Sequence, residues 1–123
     1  MRTTLLVLCL VLVVVACDGS DNLIVTGDEA GATFEVSRND SFEIRLPSNP
    51  ATGYSWTSVP IPGIEVGSPE FVDDGSDLVG APGYERFEVT AVQAGQIHIV
   101  FEYARSWEDV PPEQVFEIDL IVP

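Results

Sequence analysis

From residue 42 onward the chain repeatedly alternates apolar and polar side chains with a period of two, and that spacing confines it to β-structure. Phe42, Ile44 and Leu46 alternate with Glu43 and Arg45; Phe87, Val89 and Ala91 alternate with Glu88 and Thr90. Ile97, Ile99, Phe101 and Tyr103 lie across from His98, Val100 and Glu102, and Phe116, Ile118, Leu120 and Val122 oppose Glu117, Asp119 and Ile121. Successive side chains of an extended strand point to opposite faces, so each run builds one face for a core. No stretch sets apolar residues at i, i+3, i+4 and i+7 between helix caps. Weaker strand signals cover 23–26, 33–36 and 54–59, then Ile64–Val66 running on to Phe71-Val72. Turn residues separate the runs: Arg38-Asn39-Asp40, Asn49 to Gly53, Pro60 to Gly63, Gly80 to Gly83, Gln93-Ala94-Gly95 and Val110-Pro111-Pro112. About seven or eight short strands in roughly 100 residues predict an all-β fold, an immunoglobulin-like antiparallel β-sandwich.

The N-terminus reads differently. Met1-Arg2-Thr3-Thr4 is a short positive segment, and Leu5 to Val15 is an apolar run. That run is shorter than the ~20 residues a spanning helix needs, and it has the length of a cleavable export signal. Val14-Val15-Ala16-Cys17 resembles a bacterial-type lipobox, which is cut just before a cysteine that then carries lipid. The plain alternative is an ordinary signal peptide with a chance cysteine. The lipobox reading predicts a signal over 1–16, a lipidated Cys17 with a tether over 17–22, and one domain over 23–123. Cys9 then leaves with the signal and Cys17 is acylated, so the domain holds no thiol and no disulfide. The expected location is the cell envelope, lipid-anchored to a membrane on its periplasmic or extracellular face.

The chain carries five arginines, no lysine and 20 acidic residues, a formal charge of −15. Four arginines after Cys17 cannot line a phosphate backbone, which excludes nucleic acid as a partner. The acids are spread along the chain, with Asp28-Glu29, Asp73-Asp74 and Glu108-Asp109 as adjacent pairs, so no single-sign block marks an interaction tail. A surface adapted to high salt and a surface selecting a basic partner both remain open.

Enzyme chemistry is poorly supplied. The single histidine, His98, sits mid-strand with no nucleophile and orienting acid spaced to converge on it. No His/Cys cluster offers metal ligands, and Asp73-Asp74-Gly75-Ser76-Asp77 lacks the spaced ligands and terminal Glu of a calcium loop. The expectation is a non-enzyme without metal or cofactor.

The unusual residues lie in loops, where a rigid sandwich presents them for recognition. In Asn49-Pro50-Ala51-Thr52-Gly53-Tyr54, Pro50 presets φ, Gly53 accepts positive φ, and Asn49 and Thr52 can bond back to the loop backbone. Tyr54 and Trp56 share one face of the following strand and are expected to anchor the core. Gly80-Ala81-Pro82-Gly83 allows close backbone approach. Arg105-Ser106-Trp107 places two hot-spot residue types at a strand end.

These three loops, in this order, resemble the chagasin family of cysteine protease inhibitors, which carries Asn-Pro-x-Thr-Gly-Tyr, Gly-x-x-Gly and Arg-Pro-Trp/Phe loops on an immunoglobulin-like sandwich. Asn49 to Tyr54 matches the first pattern in full, Gly80 and Gly83 match the second, and Arg105 and Trp107 match the third. The similarity spans about residues 33–122. Ser106 stands where the family usually has proline, which implies a less rigid third loop. The resemblance implies a reversible, competitive inhibitor of papain-like cysteine proteases, and a monomer is expected. Asn49–Tyr54, with Thr52 near the tip, would enter the active-site cleft, flanked by Gly80, Ala81, Pro82 and Gly83 on one side and Arg105, Ser106 and Trp107 on the other. The alternative is a lipid-anchored binding module for another envelope protein, without inhibitory activity.

Overall fold

The computed structural model describes residues 23–73 and 82–123. The expected signal (1–16), Cys17 and its tether, Asp74–Asp77, Gly80 and Ala81 lie outside the described residues. Among those described, no helix is long and apolar enough to cross a membrane.

Among the described residues, nine strands form two packed sheets: β1 (Ile24–Thr26), β2 (Thr33–Glu35), β3 (Ser41–Ser48), β4 (Ser55–Ser58), β5 (Ile64–Val66), β6 (Glu70–Asp73), β7 (Gly83–Ala91), β8 (Gly95–Ala104) and β9 (Gln114–Val122). One sheet runs β1-β3-β7-β5, with β6 also on β7; the other runs β2-β9-β8-β4. The four runs with the clearest alternation became β3, β7, β8 and β9. Their predicted inward residues, from Phe42, Ile44 and Leu46 to Leu120 and Val122, are all buried. Phe101 is fully buried between Phe87, at a centroid distance of 4.7 Å, and Phe116, at 6.5 Å, so the two sheets meet through aromatic rings.

Nine strands stand where seven or eight were expected because the segment after Ile64 breaks in two. β5 pairs with the Val89–Ala91 end of β7 and β6 with its Gly83–Arg86 end. Pro69 falls at the break, where a residue without N–H cannot continue a ladder. The long pairs are antiparallel as expected, but β1 lies parallel to β3 and β2 parallel to β9. The first two strands thus close the edges of opposite sheets. Pro47 is accommodated inside β3 for a related reason. It shares parity with Glu43, whose N–H points to Leu23 beside β1. β1 ends at Thr26, opposite Arg45, so the missing donor of Pro47 removes no ladder bond.

Register sets where the loops emerge. Ser48 pairs with Gly83 and Ser55 with Ala104. The β3–β4 loop, the start of β7 and the β8–β9 loop therefore share one end of the sandwich.

Candidate functional site

The β3–β4 loop is a closed turn. Asn49 Oδ1 accepts from the Ala51 N–H at 3.2 Å, and Pro50 begins a single 3₁₀ turn. Thr52 N–H and Thr52 Oγ1–H both donate to the Asn49 carbonyl, at 3.1 and 2.7 Å. Gly53 N–H donates to the Pro50 carbonyl at 3.1 Å. Gly53 ends the turn at φ 80°, the left-handed region that proline at the start and glycine at the stop make inexpensive. Each role read from the sequence for Asn49, Pro50, Thr52 and Gly53 is present.

Beneath the loop runs a column of rings. Tyr54 lies 5.3 Å from Tyr103, and Tyr103 stacks on Trp56 at 4.8 Å. Trp56 and Tyr103 are buried and Tyr54 is half-buried, so the pair expected to anchor the core does so, with Tyr54 at its upper rim. The column also holds the loop's entry. Tyr103 Oη accepts from Asn49 N–H at 3.2 Å, and Trp56 Nε1 donates to the Pro47 carbonyl at 2.8 Å.

The β8–β9 loop leans on the same structure. Glu108 N–H donates to the Arg105 carbonyl at 3.2 Å, closing a turn with Ser106 and Trp107 at its corners. Arg105 is turned toward its own protein. Its Nε donates to the Thr52 carbonyl at 2.9 Å, its Cζ lies 4.3 Å over the Tyr54 ring, and its Nη1 meets Glu108 Oε1 at 2.8 Å. The Glu108 carboxylate holds the guanidinium even more firmly protonated than usual. Trp107 is the opposite case, 69% exposed. The rim of its ring rests on Gly53, where an added Cβ would lie 2.4 Å from Cη2.

Of the Gly80–Gly83 loop, only Pro82 and Gly83 are described. Gly83 is the first residue of β7, beside Ser48, and its close approach is to its own chain: a Cβ there would sit 2.2 Å from the Val72 carbonyl oxygen. A glycine is required for β6 to lie against β7, whatever else the loop meets.

Two contributions were not read from the sequence. Glu108 is the partner of Arg105, a pairing hinted at only by their i, i+3 spacing across a turn. Glu85 is a buried acid whose Oε2 accepts the Trp56 N–H at 2.9 Å, bridging the sheets at the free edge of β4. Its parity with Phe87 and Val89 marks it as inward-facing.

His98 lies apart from these loops on the exposed face of β8, between Asp119 on Nδ1 at 2.8 Å and Glu117 on Nε2 at 3.5 Å. Chiefly through the Asp119 hydrogen bond, its pKa is raised above the ordinary histidine value of 6.5.

The site is thus a projection. A stiff turn tipped by Thr52, with an exposed indole beside it, can fill a cleft in a partner.

Comparison with known proteins agrees. Residues 35–121 match the family model described as Chagasin family peptidase inhibitor I42. Chagasin of Trypanosoma cruzi is 35% identical over 89 residues, covering 68% of this chain and 81% of that protein. Amoebiasin-1 of Entamoeba histolytica is 29% identical over 100 residues, covering 80% and 97%. The crystal structure of a cysteine protease inhibitor from Entamoeba histolytica superposes with a TM-score of 0.72 at 26% identity, over 81% of this chain and 94% of that one. The chain belongs to the chagasin family, whose members are peptidase inhibitors and not enzymes.

Proposed function

We propose that this chain inhibits papain-like cysteine proteases reversibly and competitively by inserting the Asn49–Tyr54 turn into the active-site cleft, with Gly80–Gly83 and Arg105–Trp107 bracing it on either side. The observation that carries the reading is the hydrogen bonding of the turn. A cleavable peptide enters a protease cleft extended, with its scissile carbonyl free to reach an oxyanion hole. Here the carbonyls of Asn49, Pro50 and Thr52 all accept from the protein itself. The turn offers the cleft a curled, internally bonded backbone in place of the extended one that cleavage requires. Its order before binding also lowers the entropy lost on association. Trp107 supplies exposed aromatic area to the flank.

We further propose that residues 1–16 are an export signal, that Cys17 carries lipid, and that 17–22 tether the inhibitor to an envelope membrane as a monomer. The support is the apolar run Leu5–Ala16 leading directly into Cys17. A labelled fatty acid fed to cells should appear on the chain and vanish with Cys17→Ser.

The deciding test is titration of residues 18–123 against papain with a fluorogenic peptide, at low and high salt, since so acidic a domain self-repels without screening. Competitive inhibition is expected. A folded domain that leaves papain untouched would move the assignment to a non-inhibitory binding module.

A further inference from the structure

Resting on that inhibitory reading, we propose that Glu108 is a positioning residue for the wedge: through Arg105 it locks the β8–β9 loop and the Asn49–Gly53 turn into one body. Arg105 has three simultaneous contacts and only one of them is with an acid. Nε holds the Thr52 carbonyl at 2.9 Å, the guanidinium plane covers Tyr54 at 4.3 Å, and Nη1 takes Glu108 at 2.8 Å. A free arginine samples many rotamers, and fixing one costs side-chain entropy. Glu108 is placed to absorb that cost because its own backbone N–H closes the same turn onto the Arg105 carbonyl at 3.2 Å. One residue thus fixes both ends of the brace. Both partners are about one-third exposed, 34% for Arg105 and 31% for Glu108, so water screens the pair only in part.

The brace answers the question raised by Ser106. That residue is at the second position of the Arg105–Glu108 turn, where proline's fixed φ fits a type I or II turn. A chain with serine there lacks covalent stiffness at the corner, and the ion pair one residue beyond Trp107 replaces it. The two devices are alternatives, so each should make the other dispensable.

The test uses the full chain purified in detergent and two readouts. The first needs no protease: millisecond hydrogen exchange at the Thr52 and Gly53 amides, which are bonded within the turn. The second is the association and dissociation rates with papain. Glu108→Gln keeps size and removes charge. It should speed exchange at those amides and lower the association rate by about three- to tenfold, in proportion to the lost binding-competent population. The dissociation rate should move little, whereas loss of a direct protease contact raises it. Ser106→Pro added to Glu108→Gln should restore both readouts. Because proline restores no charge, that recovery also separates bracing from electrostatic steering. Unchanged exchange in Glu108→Gln, or no recovery in the double variant, overturns the proposal. A wild-type chain that leaves papain active, with exchange responding as expected, instead overturns the inhibitory reading and leaves the brace standing.

Discussion

Gly53→Ala separates the conformation of the wedge from the stability of the fold. Gly53 sits at φ 80°, and moving an alanine into the left-handed region costs about 1–2 kcal/mol. The new Cβ would also lie 2.4 Å from Trp107 Cη2, where ordinary contact begins near 3.4 Å, so the ring must retreat by about an ångström. Trp107 is 69% exposed, so that retreat gives up little burial. Stability should therefore fall by the backbone strain alone, a Tm drop of about 5–15 °C for a domain of this size. Inhibition should fall further, because the turn and the indole that flanks it are displaced together. Gly31→Ala is the matched control: φ is 84° and nothing lies within 4 Å of its added Cβ. Both variants should lose similar stability by thermal denaturation. At a temperature where both are folded, only Gly53→Ala should raise the inhibition constant for papain, by about tenfold or more, equivalent to ~1.4 kcal/mol. Equal inhibition constants for the two variants would refute the argument that the Gly53–Trp107 contact shapes the wedge.

Three further perturbations follow from the same geometry. Trp107→Ala should weaken papain inhibition by more than ~1.4 kcal/mol and leave stability within ~1 kcal/mol, checked by paired inhibition and denaturant titrations. Tyr103→Phe keeps the stacking between Tyr54 and Trp56 but deprives Asn49 N–H of its acceptor; the expected loss is about 0.5–1.5 kcal/mol of stability, read by chemical denaturation. His98, whose folded pKa is raised by Asp119 and Glu117, contributes stability fully present below its unfolded value of 6.5 and lost as pH climbs through the folded pKa. Tm should therefore decline with rising pH above 6.5 in the wild type and less so in His98→Gln; an NMR titration placing the folded pKa at or below 6.5 would contradict this.

Local periodicity carried most of the sandwich and little of its edges. Alternation assigned the inward faces of β3, β7, β8 and β9 because a slip of one residue would turn Phe42, Ile44 and Leu46 to solvent. The parallel placement of β1 on β3 and β2 on β9 depends on where three-residue strands find a free edge, which no local pattern encodes. The split between β5 and β6 was signalled by Pro69 but hidden by the apolar residues on both sides. In the site, Asn49, Pro50, Thr52 and Gly53 were legible because each role is local to the turn. The contacts Arg105 makes within the chain were not, since its acceptor, the Thr52 carbonyl, is 53 residues away. Glu108 was invisible for the same reason: its meaning depends on which way Arg105 points.

That inward-pointing arginine bears on how the wedge can bind. Three of the four arginines beyond Cys17 are held by the chain's own acids: Arg45 by Glu43, Arg86 by Glu43 and Glu70, and Arg105 by Glu108. The first three of these bridges lie on the outer face of the β3–β7 sheet and do not reach the loops. At the wedge, Arg105 and Glu108 neutralise each other, and Asn49–Tyr54 and Trp107 carry no charge. The turn and the indole are therefore uncharged themselves, while acids lie around them: Glu113 is close enough to act on Arg105, and Asp73 pairs with Gly83 at the same end. On the proposed binding mode, charge can influence approach over roughly a Debye length, ~8 Å at physiological ionic strength, but the Asn49–Tyr54 turn and Trp107 carry none into the cleft. On that mode affinity comes from shape, from the exposed indole and from a turn whose Asn49, Pro50 and Thr52 carbonyls are already bonded within the chain. Those sources depend on order before contact, which is why the ring column from Trp56 through Tyr103 and Tyr54 to Arg105 matters: it ties the most exposed loops to the buried core.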